Sequence, residues 1–181
     1  MLLLTPPFPF IPGAFRIKLV AEAWEREQCR QLRRSVFCVE QGVFAGDDAD
    51  AIDAHALPIA ALACVAGMPD SVVGTVRIHE IEPGIWQGSR LAVAPDYRRM
   101  ATLGTALIQH AVGLAHARGA RRFLAHVQAQ NVPLFQRLHW RSLGDIELHG
   151  RPHSFMEADL AHYPPRTADA VDIVTVQARA A

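Results

Sequence analysis

The sequence has no excess of either charge, and this absence limits what the protein can bind. Its 181 residues include 18 Lys and Arg against 18 Asp and Glu, so the formal net charge is zero. Binding to duplex nucleic acid or to an anionic lipid surface requires a basic face that displaces counterions. We therefore expect neither nucleic acid nor a membrane among the partners.

Cysteine is scarce, and long apolar runs are absent. The three cysteines are odd in number and form no C-x-x-C pair, so neither a disulfide framework nor a zinc site is predicted, and the cytoplasm is the expected location. No apolar run approaches the roughly 20 residues that a membrane-spanning helix needs. Nine histidines are present, but they form no H-E-x-x-H motif, and we predict no metal site.

Half of the residues are apolar, and the length fits one domain with its own core. Four prolines near the start break any helix there, so residues 1–14 are predicted to form an extended, proline-rich arm. Residues 15–163 carry the regular patterns and are predicted to form the domain. Residues 164–181 show no such pattern and are predicted to be a C-terminal tail. Exchange of these arms in a homodimer is an open alternative.

Strand-like and helix-like patterns follow one another along the domain. Alternation of apolar and polar residues predicts strands over 15–20, 55–66, 72–81, 86–93, 123–127, 140–148 and 153–159. A period of 3.6 predicts helices over 24–36 and 102–118, and Asn131 is predicted to cap a short third helix. The order of strand, helix and strand around residues 102–118 implies that the flanking strands are parallel.

A pattern suited to phosphate binding occurs where the second long helix begins. Its first turn is Thr102-Leu103-Gly104-Thr105, and Arg98 and Arg99 precede it. Backbone N–H groups at a helix N-terminus, together with the helix dipole, favour a bound anion such as a pyrophosphate. An ordinary capped helix beside two solvated arginines is the alternative.

The segment from Arg90 to Ile108 resembles the acetyl-CoA-binding motif of the GNAT N-acetyltransferases, which has the form Arg/Gln-x-x-Gly-x-Gly/Ala. Read from Arg99, Thr102 takes the first glycine position and Gly104 the second. Further matching segments occur in the expected order: Val36-Phe37-Cys38-Val39-Glu40-Gln41-Gly42, Asp50-x-x-Asp53-x-His55, Val73-Gly74-Thr75-Val76-Arg77-Ile78, His126-Val127-Gln128 and Gly150-x-Pro152-His153-x-x-Met156. They resemble the GNAT branch with a Val-Phe-x-x-Glu-Gln signature, and the acetyltransferase-like proteins encoded beside a nitrilase in bacterial gene clusters.

The resemblance, which spans roughly residues 15–163, implies an α/β fold of the α+β type. It implies a mixed central sheet of about six to seven strands, splayed between strands 4 and 5 and flanked by about four helices. Acetyl-CoA, or another acyl-CoA, is the implied cosubstrate, and its pantetheine arm would lie in the splay. The implied cofactor-binding residues are Leu91, Ala92, Val93, Arg98, Arg99, Met100, Ala101, Thr102, Leu103, Gly104, Thr105, Asn131 and Phe135. Many GNAT enzymes have a proton-donating tyrosine where this chain has Phe135, and a phenyl ring cannot donate a proton.

Direct attack of an amine on the thioester requires a group that accepts the proton of the amine. Glu40 and His126 are the candidate catalytic residues, and Arg77, Gln128 and His153 are the candidate substrate-binding residues. Each has a structural alternative: a helix-terminal carboxylate bonded to an arginine for Glu40, a hydrogen bond to a neighbouring strand for His126 or Gln128, an ion pair with Asp53 for Arg77, and simple surface exposure for His153.

The predicted function is therefore the transfer of an acetyl group from acetyl-CoA to a small-molecule amine. Two alternatives are open. One is an acyltransferase similar to the acyl-homoserine-lactone synthases, which would need a basic patch to dock an acyl carrier protein. The other is a non-catalytic sensor or complex subunit that binds acyl-CoA, for which Phe135 and Thr102 are the supporting departures from the family pattern.

Overall fold

One mixed sheet of eight strands forms the centre of the fold. The computed structural model describes residues 12–99 and 102–176. The strands are β1 (Ala14–Leu19), β2 (Leu57–Val65), β3 (Met68–Glu82), β4 (Ile85–Val93), β5 (Arg122–Gln128), β6 (Trp140–Leu148), β7 (Arg151–Ala158) and β8 (Val171–Thr175). Their order across the sheet is β6-β7-β5-β4-β3-β2-β1-β8. Only the β4–β5 pair is parallel among the strands described, as the sequence predicts.

Helices cover both faces of this sheet, because its central strands carry apolar side chains on both faces. The α-helices are α1 (Ala23–Arg33), α2 (Thr102–Ala117) and α3 (Val132–Arg137), and α1 continues directly into a π-helical segment, Arg34–Glu40. Along β2, Ala60 and Leu62 pack with Cys29 of α1, whereas Ile59 and Ala61 belong to the main core, which contains α2. The predicted α/β class with a mixed sheet is confirmed, with one strand more than expected and three α-helices.

The strands β4 and β5 separate part of the way along their length. They are paired only where Ile85–Gly88 lies beside Arg122–Ala125. Beyond that point β4 runs on to Val93 and β5 to Gln128 without pairing to each other. The predicted splay between strands 4 and 5 is thus present, and it opens a gap in the middle of the sheet.

Residues 164–176, predicted to be part of a tail without a partner, instead complete the sheet. In this segment β8 pairs antiparallel with β1, and Arg166 donates its backbone N–H to Gly113 O on α2 at 2.9 Å. The carboxylate of Asp172 accepts from Arg166 Nε at 2.8 Å and contacts Nδ1 of the buried His110 at 2.9 Å. The prediction of a tail is wrong here, because polar contacts hold a strand whose five residues give too short an alternation to recognise.

Two smaller expectations also change. Asn131 is the N-cap residue of α3, as predicted, but its side chain makes no capping hydrogen bond. The proline-rich arm lies mostly outside the described residues, and β1 already begins at Ala14.

Candidate active site

A cavity of about 320 Å³ lies where β4 and β5 separate, and it passes through the sheet. On the face that carries the 41–53 loop, it is lined by polar side chains, among them Arg77, Ser89, Arg90, His126, Gln128 and His153. On the opposite face it is lined by buried apolar residues of α2, β5, α3 and β6. The cavity therefore has a polar mouth and an apolar interior, as small-molecule sites commonly do.

A β-bulge in β4 lies at the edge of this cavity. Thr75 and Arg77 of β3 face Ala92 and Ser89, so β4 contains one residue more than β3 over this stretch. Arg90, within the bulge, has a φ of 56°, which is unusual for a residue with a side chain. Such a conformation persists only where the surroundings hold it in place. It directs the Arg90 guanidinium to the polar mouth of the cavity.

The side chain of Arg90 is held by a buried network of ion pairs. Its Nε donates to Asp48 Oδ2 at 2.9 Å, and its guanidinium lies over the ring of Phe44 at 4.4 Å. The same Asp48 oxygen accepts from Arg33 Nε at 2.8 Å. Only 3% of Asp48 is exposed, so its charge is balanced by the two arginines and not by water.

The same network includes Arg77, a candidate substrate-binding residue. Its guanidinium donates to both oxygens of Asp50 at 2.7 Å, and it forms an ion pair with Asp53 at 2.8 Å. Its Nε donates to Ser89 Oγ at 3.0 Å, next to the bulge. Arg77 lines the cavity, but these contacts occupy all of its donor nitrogens. The contacts support a structural role, and substrate binding by Arg77 stays a prediction.

Acidification is expected to destabilise the fold through this network. Burial by itself would raise the pKa of Asp53, but hydrogen bonds from Arg33 and Arg77 outweigh it and hold the pKa well below its usual range. The hydrogen bond from Arg77 likewise lowers the pKa of Asp50. A carboxyl whose pKa is lower in the folded state stabilises that state above the unfolded value, about 3.9 for aspartate, and this contribution disappears as the pH falls. Urea unfolding should give a lower free energy of unfolding at pH 3 than at pH 7, and equal values would contradict this role for the network.

His126 lies at the mouth of the cavity on β5, beyond the point where the strands separate. Its ring stacks on Phe155 with centroids 4.9 Å apart, and its Nδ1 lies 3.3 Å from the Gln87 amide nitrogen. Burial, assisted by the neighbouring His153, lowers the pKa of His126 below the usual histidine value. The imidazole is therefore neutral at neutral pH and able to accept a proton.

The other two candidate substrate-binding residues also reach the cavity. Gln128 donates to Gln41 Oε1 at 3.1 Å and accepts from Gln130 at 2.7 Å, so its amide is already bonded at both ends. His153 lies opposite Gln128 on β7, and its Nδ1 is 2.9 Å from Arg151 O. Both assignments stay predictions, with the position of His153 the more favourable for contact with a ligand.

Glu40 is not among the residues that line the cavity. Both of its oxygens accept from the guanidinium of Arg98, at 2.5 and 2.7 Å. This hydrogen bond lowers the pKa of Glu40, which makes the carboxylate a weaker base. The geometry corresponds to the structural alternative for Glu40, and it links the end of the π-helical segment to a residue expected to bind phosphate.

Along the part of β4 that borders the gap, the backbone N–H and C=O groups of successive residues point alternately toward β3 and away from it. The Ala94 N–H donates to Val73 O at 2.8 Å, and Ala92 lies in the equivalent register position two residues earlier. Since hydrogen-bonded pairs alternate in an antiparallel ladder, the backbone of Ala92 is directed to β3 and that of Val93 to the gap. The Val93 carbonyl accepts from Arg98 Nε at 2.9 Å. The backbone groups of Ala92 therefore point to β3 and not to the predicted pantetheine arm, whereas those of Val93 are placed to contact it.

The start of α2 has open space in front of Gly104, where an added Cβ would meet no atom within 4 Å. Leu103 is fully buried, so its side chain serves the core, and Arg99 is exposed on the preceding turn. Met100 and Ala101 lie outside the described residues. Asn131 and Phe135 both line the cavity, and the Phe135 ring packs edge-on against Trp140 at 5.0 Å.

Three residues of the buried network, Arg33, Asp48 and Arg90, were not predicted as site residues. A signal existed for Arg33, because it lies four residues after Cys29, on the helix face that is otherwise apolar. A charged residue on such a face needs a buried partner. The sequence carried no comparable signal for Arg90, because its position depends on the bulge.

Comparisons with known proteins agree with this fold. A family model described as the acetyltransferase (GNAT) family matches residues 20–144. A search of proteins with curated functions gives no significant match. Among the described residues, no helix is long and apolar enough to cross a membrane.

Solved structures with the same fold are numerous. An N-acetyltransferase candidate from Lactobacillus plantarum is 21% identical, with a TM-score of 0.71 over 80% of this chain and 97% of its own. An acyl-CoA N-acyltransferase from Pseudomonas aeruginosa is 19% identical, with a TM-score of 0.64 over 80% of this chain and 99% of its own. BjaI, a CoA-dependent acyl-homoserine lactone synthase solved with SAM and isopentyl-CoA, is 17% identical, with a TM-score of 0.63 over 82% of this chain and 86% of its own. At these identities the likeness shows the fold.

Proposed function

Because the chain belongs to the acetyltransferase (GNAT) family, we propose that it transfers an acyl group from acyl-CoA to the amine of a small molecule. Acetyl-CoA is the donor that the family resemblance implies. The observation that carries the proposal is the cavity through the splay of β4 and β5, which joins a polar mouth to an apolar interior. The cytoplasmic location expected from the unpaired cysteines is part of the same proposal.

The residues around the gap fit a CoA cosubstrate. The first turn of α2 presents backbone N–H groups beside the open space at Gly104, where a pyrophosphate would be held. Arg99, exposed on the preceding turn, supplies positive charge for phosphate oxygens, and Arg98 would do so by exchanging Glu40 for a phosphate. Val93 lies on the unpaired part of β4 and Asn131 lines the cavity, so both could contact the amides of the pantetheine arm.

In this proposal, His126 takes the proton of the attacking amine. The Gln87 amide lies next to Nδ1 and orients the ring. When this amide is turned so that its oxygen accepts from Nδ1–H, the lone pair of the neutral ring is on Nε2. The bond between the amine nitrogen and the acyl carbon forms, and the bond between that carbon and sulfur breaks. The proton lost by the amine balances the one gained by the CoA thiolate. His126 or solvent returns it, since Phe135 cannot.

Acetyl-CoA is expected to raise the melting temperature of the protein. A ligand at 100 times its Kd adds about 2.7 kcal/mol, which corresponds to roughly 5–10 °C for a chain of this length. Replacing Arg98 by alanine removes a charge-assisted contact to phosphate and should weaken binding roughly 10- to 100-fold. Thermal unfolding at a series of acetyl-CoA concentrations measures both effects.

The matched variant is Glu40→Gln, which keeps Arg98 but removes the carboxylate that neutralises it. We expect Glu40→Gln to bind acetyl-CoA at least as tightly as the unaltered protein. No change in melting temperature with millimolar acetyl-CoA or with a longer acyl-CoA would refute the proposed function. Equal loss of affinity in both variants would show that the ion pair matters and not the charge of Arg98.

A further inference from the structure

We propose that the protein accepts acyl groups longer than acetyl and binds the acyl chain in an apolar pocket on the α2 side of the sheet. The inference rests on the proposed function, because the pocket is defined relative to the thioester of a bound acyl-CoA. It adds the chemical class of the donor, a short to medium hydrocarbon chain.

The pocket is the apolar interior of the cavity described above. Its walls come from α2, β5, α3 and β6, and they include Ile108, Ala111, Phe123, Ala125, Phe135 and Trp140. Each of these residues is at most 7% exposed, although all of them border open space. An empty apolar cavity inside a core lowers stability, since its lining lacks contacts that a ligand could supply. Hydrocarbon is the matching ligand.

Among the described residues, the aromatic end of the pocket is formed by Phe123, Phe135 and Trp140. Trp140 donates its indole N–H to Tyr163 Oη at 2.9 Å, so its only polar atom is already bonded. The rings of Phe123 and Phe135 both pack edge-on against Trp140, at 5.8 and 5.0 Å. The phenyl ring of Phe135 also fits this environment, since a tyrosine hydroxyl here would need a partner of its own.

The pocket continues past the expected position of the reacting carbon. The bulge at Arg90 and the ring of His126 lie on the open side of the last β4–β5 pair, Gly88 and Ala125. Phe123 lies two residues further toward the closed end, which is about 7 Å along a strand. The start of α2, where the phosphates would lie, is at the other end of the gap. A chain attached to the acyl carbon therefore points into the pocket.

Small residues keep the entrance to the pocket open. A Cβ added at Gly88 would lie 3.1 Å from Phe123 Cε1, so a larger side chain would crowd the ring. Ala111 on α2 and Ala125 on β5 line the same space with single methyl groups. Filling the pocket from Ala111 is therefore a direct way to shorten the chain that it can accept.

The first test is the affinity of the full-length protein for acetyl-, butanoyl-, hexanoyl- and octanoyl-CoA, measured by calorimetry. Each buried methylene contributes about 0.8 kcal/mol, or roughly a fourfold decrease in Kd. Hexanoyl-CoA should therefore bind at least tenfold more tightly than acetyl-CoA. Binding of acetyl-CoA without any gain for longer chains would overturn this inference and leave the proposed function standing, whereas failure of every donor to bind would overturn both.

The second test compares Ala111→Leu with Gln109→Leu, an exposed position on the same helix. Ala111→Leu should lower the preference for hexanoyl-CoA over acetyl-CoA at least tenfold, and Gln109→Leu should keep the preference of the unaltered protein. Equal weakening of acetyl- and hexanoyl-CoA by Ala111→Leu would assign the space to the pantetheine arm and overturn the inference. If Ala111→Leu does not fold, the donor series decides alone.

Discussion

Replacing Asp48 by alanine is expected to lower the free energy of unfolding by about 3–5 kcal/mol. Asp48 is nearly fully buried, and its carboxylate is shared by Arg33 and Arg90. Without this carboxylate, two guanidinium groups lose a charge that balances their own in a site that water hardly reaches. The cost of leaving buried charge unbalanced accounts for the size of the effect. Urea unfolding at neutral pH measures it.

Asp47→Ala is the matched control. It makes the same change in charge in the same loop, but the Asp47 side chain is exposed and accepts a hydrogen bond from the backbone N–H of Ala49. We expect it to cost less than about 1 kcal/mol. Similar losses for the two variants would show that the buried network contributes little to stability.

Replacing His126 by glutamine is expected to lower kcat for amine acylation roughly 10²- to 10⁴-fold. Glutamine can still bond to Gln87, but it cannot accept a proton. Because burial lowers the pKa of His126, the unaltered enzyme should lose activity on its acidic limb at a pH below the ordinary histidine value of about 6.5. That limb should be missing from the variant. Steady-state kinetics as a function of pH measures both.

His162→Gln, at an exposed position next to Asp159, is the control and should leave kcat and its pH profile unchanged. Glu40→Gln provides the competing assignment. A larger loss of kcat in Glu40→Gln than in His126→Gln would give the role of base to Glu40, despite its ion pair with Arg98.

The parts of the fold that repeat a local pattern could be predicted from the sequence. The period of 3.6 in residues 102–118 located α2, and Gly119, with a φ of 87°, follows its end as expected of a helix-terminating glycine. The strand–helix–strand order then fixed the parallel pairing of β4 with β5, since a crossover of this length allows little else. The splay itself came from the family resemblance and not from periodicity.

Features that depend on distant contacts could not be predicted in this way. The strand β8 is held by Asp172, which contacts His110 more than sixty residues away in sequence, and no local pattern reports such a contact. The bulge at Arg90 is one extra residue in a strand, and alternation alone does not show where a register shift occurs.

In the candidate site, too, local patterns could be predicted and long-range contacts could not. His126 and Phe135 could be located because each occupies a recognisable element that borders the gap. Glu40 could be located near the site, but its partner could not, because the ion pair with Arg98 joins segments 58 residues apart. Spacing in sequence therefore identified residues near the site, and long-range contacts decided which of them face the cavity.

Acyl transfer is tested by mixing the protein with hexanoyl- or acetyl-CoA and a panel of primary amines, and by counting free CoA thiol and amide product in the same samples. The proposal predicts one amide formed for each thiol released, at rates that fall sharply in His126→Gln. Tight binding of both donors without amide from any amine would contradict enzymatic transfer and would identify the protein as one that binds acyl-CoA without turning it over.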